Sequence, residues 1–148
     1  SQAEYIRDGL DWSAWVANMH KLSTSGKLRG LHVMCTINAL CLESLPEFLT
    51  QLMTWKSQYG QDFPNFTLNI LRFPSFQSPL VLPDSIRTHH RDRLQAWLDT
   101  WTDNVMLQEH ERNHVQRLID YLDVVKTPHS DTFDMPSLHN DFRQFYLQ

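Results

Sequence analysis

The chain has 148 residues, 41% of them hydrophobic and 20% charged, a balance ordinary for a single globular domain with its own core. Thirteen Lys and Arg against 17 Asp and Glu give a net charge of -4, which argues against a general nucleic-acid binder, because such a protein carries a basic face. No apolar run approaches the ~20 residues that span a bilayer and the N-terminus has no signal-peptide pattern, so a cytoplasmic protein without membrane or nucleic-acid partners is expected.

Asp11 is placed to cap a first helix whose stripe is Trp12, Trp15, Val16, Met19 and Leu22, and this helix is expected to cover the strand that follows. Ser23 to Gly30 reads as a polar loop. A strand over Leu31 to Asn38 then places Val33, Cys35 and Ile37 on one face and Met34, Thr36 and Asn38 on the other. Ser44-Leu45-Pro46-Glu47 has the form of a capping box opening a helix that runs to Tyr59. Its stripe is Leu45, Phe48, Leu49, Leu52 and Tyr59, and Gly60 is suited to end it.

A second strand, Phe66 to Leu71, repeats the first: Phe66, Leu68 and Ile70 face one way, Thr67, Asn69 and Leu71 the other, so Thr-x-Asn occurs twice on matching faces. A helical crossover of this kind joins parallel strands. Helices are then expected on the apolar faces. In an α/β barrel the Thr-x-Asn faces line the lumen, and ligands gather at the carboxyl ends of the strands, where Asn38 and Asn69 to Leu71 lie. The alternative is a solvated sheet face, or polar residues that satisfy one another in the core.

Phe73 to Pro83 contains three prolines and is expected to be an irregular loop with an extended piece at Leu80 to Leu82. Asp84 or Ser85 begins a helix with Ile86, Leu94, Trp97, Leu98 and Trp101 on its buried side, and a further helix is expected from about Val105 to Val125. A linker after Thr127-Pro128 leads to a short last helix bearing Leu138, Phe142 and Phe145. No repeat or domain boundary interrupts residues 1-148, which read as one domain.

Two patterns suggest metals. His110-Glu111-Arg112-Asn113-His114 fits H-E-x-x-H, the helical signature of zinc hydrolases, but none of the usual third ligands stands at the right spacing. Moreover, Val115, Leu118, Ile119 and Leu122 define an apolar stripe that, at about 100° per residue, has Glu111 near its centre and leaves the two histidines largely outward. His89-His90 is a neighbouring pair on a helix, expected to point in two directions. The two cysteines, Cys35 and Cys41, fit no common zinc or iron-sulfur ligand spacing and read as buried thiols. No metal ligand is therefore assigned.

The run CTINALCLESLPEFL, then FTLNILRFPSFQSPLVLP, resembles the late barrel strands of radical S-adenosylmethionine proteins, in particular those called twitch-domain-containing. Glu4-Tyr5-Ile6-Arg7-Asp8-Gly9 followed by Trp12 is similar to the same family's segment after its fourth strand, with Asp141-Phe142 as weaker support. The resemblance implies an α/β fold: the later strands and helices of an open partial barrel, followed by C-terminal helices. It also implies, in the complete protein, reductive cleavage of S-adenosylmethionine at a [4Fe-4S] cluster, giving a 5'-deoxyadenosyl radical that takes hydrogen from a substrate. That substrate is unidentified, a peptide being one candidate class.

The family's Cys-x3-Cys-x2-Cys cluster motif is not in this chain, and is expected in an upstream segment of a longer protein truncated here at both ends. By the same resemblance Thr36, Asn38, Asn69 and Leu71 line the lumen, Asn38 lies near the ribose or methionyl end of the cofactor, and Ile70 and Leu71 lie against the adenine. Arg7 is a candidate anion-binding or loop-ordering residue, with a plain surface role as the alternative. A strand at Leu31 without its barrel neighbour would favour self-association. The contrasting function is a noncatalytic interaction module that keeps the barrel half as a scaffold.

Overall fold

A computed structural model describes residues 9-123; Arg7, Asp141-Phe142 and the expected last helix lie outside the described residues. Within them the protein is a small α/β fold of four α-helices and two parallel strands in an open sheet, in the order α1 (Trp12–Thr24), β1 (His32–Ile37), α2 (Leu45–Tyr59), β2 (Asn65–Ile70), α3 (Asp84–Trp101) and α4 (Glu109–Leu122). None of the described helices is long and apolar enough to cross a membrane. Closure into a barrel is not a feature of these elements: the sheet has two strands.

Asp11 caps α1 as its position predicts, Oδ1 accepting from the Ala14 N–H at 3.0 Å. The ring contacts of α1 run to α2, and its Met19 is buried in the same core as Ile37, Phe66 and Leu68 of the strands. Trp15 meets Phe48 and Trp55, and His20 Nδ1 lies 2.5 Å from the Tyr59 hydroxyl. Leu22, expected on the buried stripe, is 45% exposed.

The strands pair in the register His32↔Asn65 through Ile37↔Ile70. Phe66, Leu68 and Ile37 are buried beneath the helices, among Leu49, Leu52 and Met53 of α2, Leu94 of α3, and Val115 and Leu118 of α4. Burying a side chain of this size stabilises the fold by about 1.5–3 kcal/mol. His32, Met34, Thr36 and Asn69 lie on the other face and are exposed. The two Thr-x-Asn repeats are staggered by two residues, so Met34 pairs with Thr67 and Thr36 with Asn69.

The two sheet edges differ. At the outer edge of β2, His114 Nδ1 accepts the Leu68 N–H at 2.9 Å and Arg117 donates to the Leu68 carbonyl at 2.7 Å, so side chains of α4 take the place of a third strand. Leu31 directs its N–H and C=O to the β2 side. By alternation His32, Met34 and Thr36 direct theirs outward, and among the described residues no main-chain hydrogen bond from another strand reaches them.

Several local expectations are replaced. Ser44 is not a side-chain cap: its backbone is already helical and its hydroxyl donates to the Cys41 carbonyl at 3.4 Å. Pro79–Val81 forms a 3-10 turn, not an extended piece, and Ser78 Oγ accepts from the Leu80 N–H at 3.3 Å. In α3 the buried stripe runs Arg87, His90, Leu94, Trp97 and Leu98, whereas Ile86, about 100° from Arg87, is 42% exposed. The last described helix begins at Glu109, later than Val105, because Glu111 Oε1 accepts the Gln108 N–H at 3.1 Å and fixes the helix start there.

Candidate functional site

The carboxyl ends of β1 and β2 open onto one region. Leu71 N–H donates to the Ile37 carbonyl at 2.9 Å, extending the pairing past the strands, and Ala39 N–H donates to the Gln77 carbonyl at 2.9 Å, drawing the 3-10 loop back to the end of β1. Ser78 Oγ and the Tyr121 hydroxyl lie 3.1 Å apart, tying that loop to α4. Arg72 stacks its guanidinium 5.7 Å from the centre of the Tyr121 ring, a cation–π contact that holds a positive charge one residue beyond Leu71.

The candidate residues occupy different environments. Thr36 and Asn69 are exposed register partners on the open face. Leu71 is half-buried at the strand end. Asn38 is buried, with its Oδ1 accepting from the N–H groups of Leu40 at 2.9 Å and Cys41 at 3.1 Å, so its oxygen turns the chain into α2. Ile70 packs into the helix-side core, on the face opposite Leu71, as strand alternation predicts. Arg7 lies outside the described residues.

Sequence reasoning did not single out Arg72. The available signal was a cation immediately after a strand's carboxyl end, in Leu71-Arg72-Phe73-Pro74.

The two thiols are poorly prepared as metal ligands, which bind as thiolates. Burial, with Cys41 beside it, pushes Cys35 up to about 12. Burial likewise raises Cys41 to about 11, partly offset by backbone hydrogen bonds from Asn38 and its own N–H.

The H-E-x-x-H residues occupy three separate environments. Glu111 is fully buried and paired with the equally buried Lys56 at 2.8 Å, while Lys56 also donates to the Gln61 carbonyl at 2.7 Å. Burial holds the Glu111 carboxyl above the usual range, against the opposing pull of Lys56. His110 is exposed. His114, expected to face largely outward, is instead half-buried on the β2 edge with Nδ1 on Leu68. A single zinc ion cannot collect this set, because Glu111 and His114 are committed to other partners.

The neighbouring pair His89-His90 behaves differently from its expectation. The rings do not diverge: their centroids are 5.4 Å apart at 59°, and with Glu43 they bring three potential ligand atoms to within 4.8 Å of one another.

Compared with family models, with curated proteins and with solved structures, the chain matches none. The class of the unit is a parallel β-α-β element with helices packed on one side of its sheet.

Proposed function

We propose that this chain supplies the later strands of a radical S-adenosylmethionine barrel. The observation that carries this reading is the division of the sheet: helices bury Phe66, Leu68 and Ile37, while Thr36 and Asn69 stand paired and exposed on the opposite side. A polar face opposite an apolar, helix-covered one offers hydrogen-bonding groups to a ligand held at the carboxyl ends of the strands, where α/β folds bind theirs. The outward main chain of β1 is available to a preceding strand.

In this reading the Thr36 hydroxyl and the Asn69 carboxamide offer donors and acceptors to the ribose and methionyl groups of S-adenosylmethionine. Leu71 offers apolar surface to the adenine, Ile70 contributes only main chain, and Arg72 supplies a cation for the carboxylate. Asn38 acts by shaping the β1–α2 turn that borders the ligand. Cys35 and Cys41, held as thiols, do not fit a [4Fe-4S] cluster, so its ligands belong to another segment. The cluster, when bound, supplies the electron that cleaves S-adenosylmethionine; this chain binds and orients the cofactor.

The test is a longer polypeptide that includes the coding sequence upstream of Ser1, reconstituted anaerobically with iron and sulfide. It should acquire cluster absorbance, whereas residues 1-148 alone should not. Asn69→Leu in the longer protein should weaken S-adenosylmethionine binding in equilibrium dialysis, since a hydrogen bond to a charged group contributes about 1.5–3 kcal/mol. Unchanged affinity in Asn69→Leu and Thr36→Val together would overturn the assignment of the open face. The interaction-module reading is favoured by one feature, the 68% exposure of Met34 at the centre of that face; a start codon near Ser1 and no upstream cysteine motif would support it.

A further inference from the structure

Away from the sheet face, Glu43 sits in the turn before α2 and faces the first half of α3. There its carboxylate and the imidazoles of His89 and His90 each offer one ligand atom, all within 4.8 Å of one another. His90 is 7% exposed and its Nδ1 is buried with no hydrogen-bond partner. Glu43 Oε2 lies 3.8 Å from it, outside hydrogen-bonding distance. Buried polar atoms in folded proteins are otherwise almost always satisfied, and an orphan of this kind points to a missing ligand.

We propose that Glu43, His89 and His90 form a zinc(II) site, independent of the radical-enzyme reading. Imidazole and carboxylate donors suit zinc, whose bonds to them of about 2.0–2.2 Å place tetrahedral ligand atoms roughly 3.3–3.6 Å apart. Of the three, Glu43 and His89 are exposed, so their side chains have room to turn toward the buried His90. Arg93 donates to the Glu43 carbonyl at 2.9 Å and lies 3.2 Å from Glu43 Oε2. It anchors the acidic residue, and its positive charge restrains the affinity, so a modest site is expected rather than a structural one. Three protein ligands leave the fourth position to water, as in zinc sites that keep an open position.

The experiment is calorimetric titration of the full chain with zinc chloride in a non-chelating buffer, with cobalt(II) absorption as an independent readout of four-coordination. One equivalent should bind and raise the thermal midpoint, because a ligand specific to the folded state stabilises it. Glu43→Gln and His89→Ala alter exposed side chains and should retain the fold by circular dichroism. Each should weaken zinc binding by at least ~10-fold, the smallest loss seen when even the supporting partners of metal ligands are removed. His110→Ala, outside the cluster, should leave binding unchanged. Absence of saturable binding, or binding that survives both Glu43→Gln and His89→Ala, would refute the site, as would its loss in His110→Ala.

Discussion

The two sides of the β1–β2 sheet are built from neighbouring residues of the same strands, yet one is closed and the other open. On the closed side Phe66 and Leu68 reach zero exposure, and the β2 edge beside them is sealed by His114 and Arg117. On the open side Met34 is 68% exposed, and the polar side chains largely serve each other: His32 Nδ1 meets Asn65 Oδ1, and His32 Nε2 lies 3.0 Å from Thr67 Oγ1. A side chain's contribution is therefore set by which way its strand position turns it, more than by its residue type.

The largest effect that would expose this contrast lies behind the closed side. Glu111→Leu leaves Lys56 charged and buried, and should lower stability by about 3–5 kcal/mol, while the double variant with Lys56→Met should recover most of that loss. Urea unfolding of the four proteins in the cycle measures it; a double variant as weak as Glu111→Leu would contradict the compensation. The same carboxyl has a pH signature. Its folded pKa is raised by burial, so the folded state holds the proton more tightly than the unfolded chain. The resulting stabilisation is complete below the unfolded value of about 4.3 and is lost as pH rises through the folded value. The stability of the wild type relative to Glu111→Gln should accordingly fall as pH increases across that window.

Next in size, Leu68→Ala should cost about 2–5 kcal/mol, as a methylene-rich side chain leaves a cavity in a packed core. Equal sensitivity at Thr36, one strand away on the open side, would erase the distinction between the faces. His114→Ala should cost about 1–3 kcal/mol, since the buried Leu68 N–H loses its acceptor. It should also increase self-association seen by sedimentation, because a second strand edge becomes available. The smallest effect belongs to Met34→Lys, expected within about 0.5 kcal/mol in stability but reducing association through the open face. If association proceeds unchanged in this variant, the open face is not the contact.

Much of the architecture is legible in the sequence. Alternation identified the two strand faces, and Asp11 and Gly60 marked helix ends through local chemistry that operates whatever the tertiary context. The failures share a cause. Arg87 and Lys56 are buried because their polar ends find partners far along the chain, the Leu122 carbonyl at 3.3 Å and the Glu111 carboxylate at 2.8 Å, and no periodicity of apolar residues reveals them. His114 was assigned outward for the same reason: its acceptor role depends on β2 lying alongside, 46 residues away. The Glu43–His89–His90 cluster joins a turn to a helix nearly half the described length further on, so residue spacing alone kept its members apart. Ser44 holds the N-cap position of α2 without a side-chain hydrogen bond, whereas the side chain that closes the preceding turn is that of Asn38, which accepts from two N–H groups just past the end of β1.

The seal on β2 also has a timetable. Arg117 follows Leu68 by 49 residues, so at synthesis rates of about 5–20 residues per second the β1–α2–β2 unit emerges from a ribosome roughly 2–10 s before α4 can dock. During that interval both borders of the sheet are unguarded, and nascent chains on neighbouring ribosomes of one message present the same adhesive strands to each other. Slow translation across residues 70–117 would lengthen this exposure of Phe66 to Leu71.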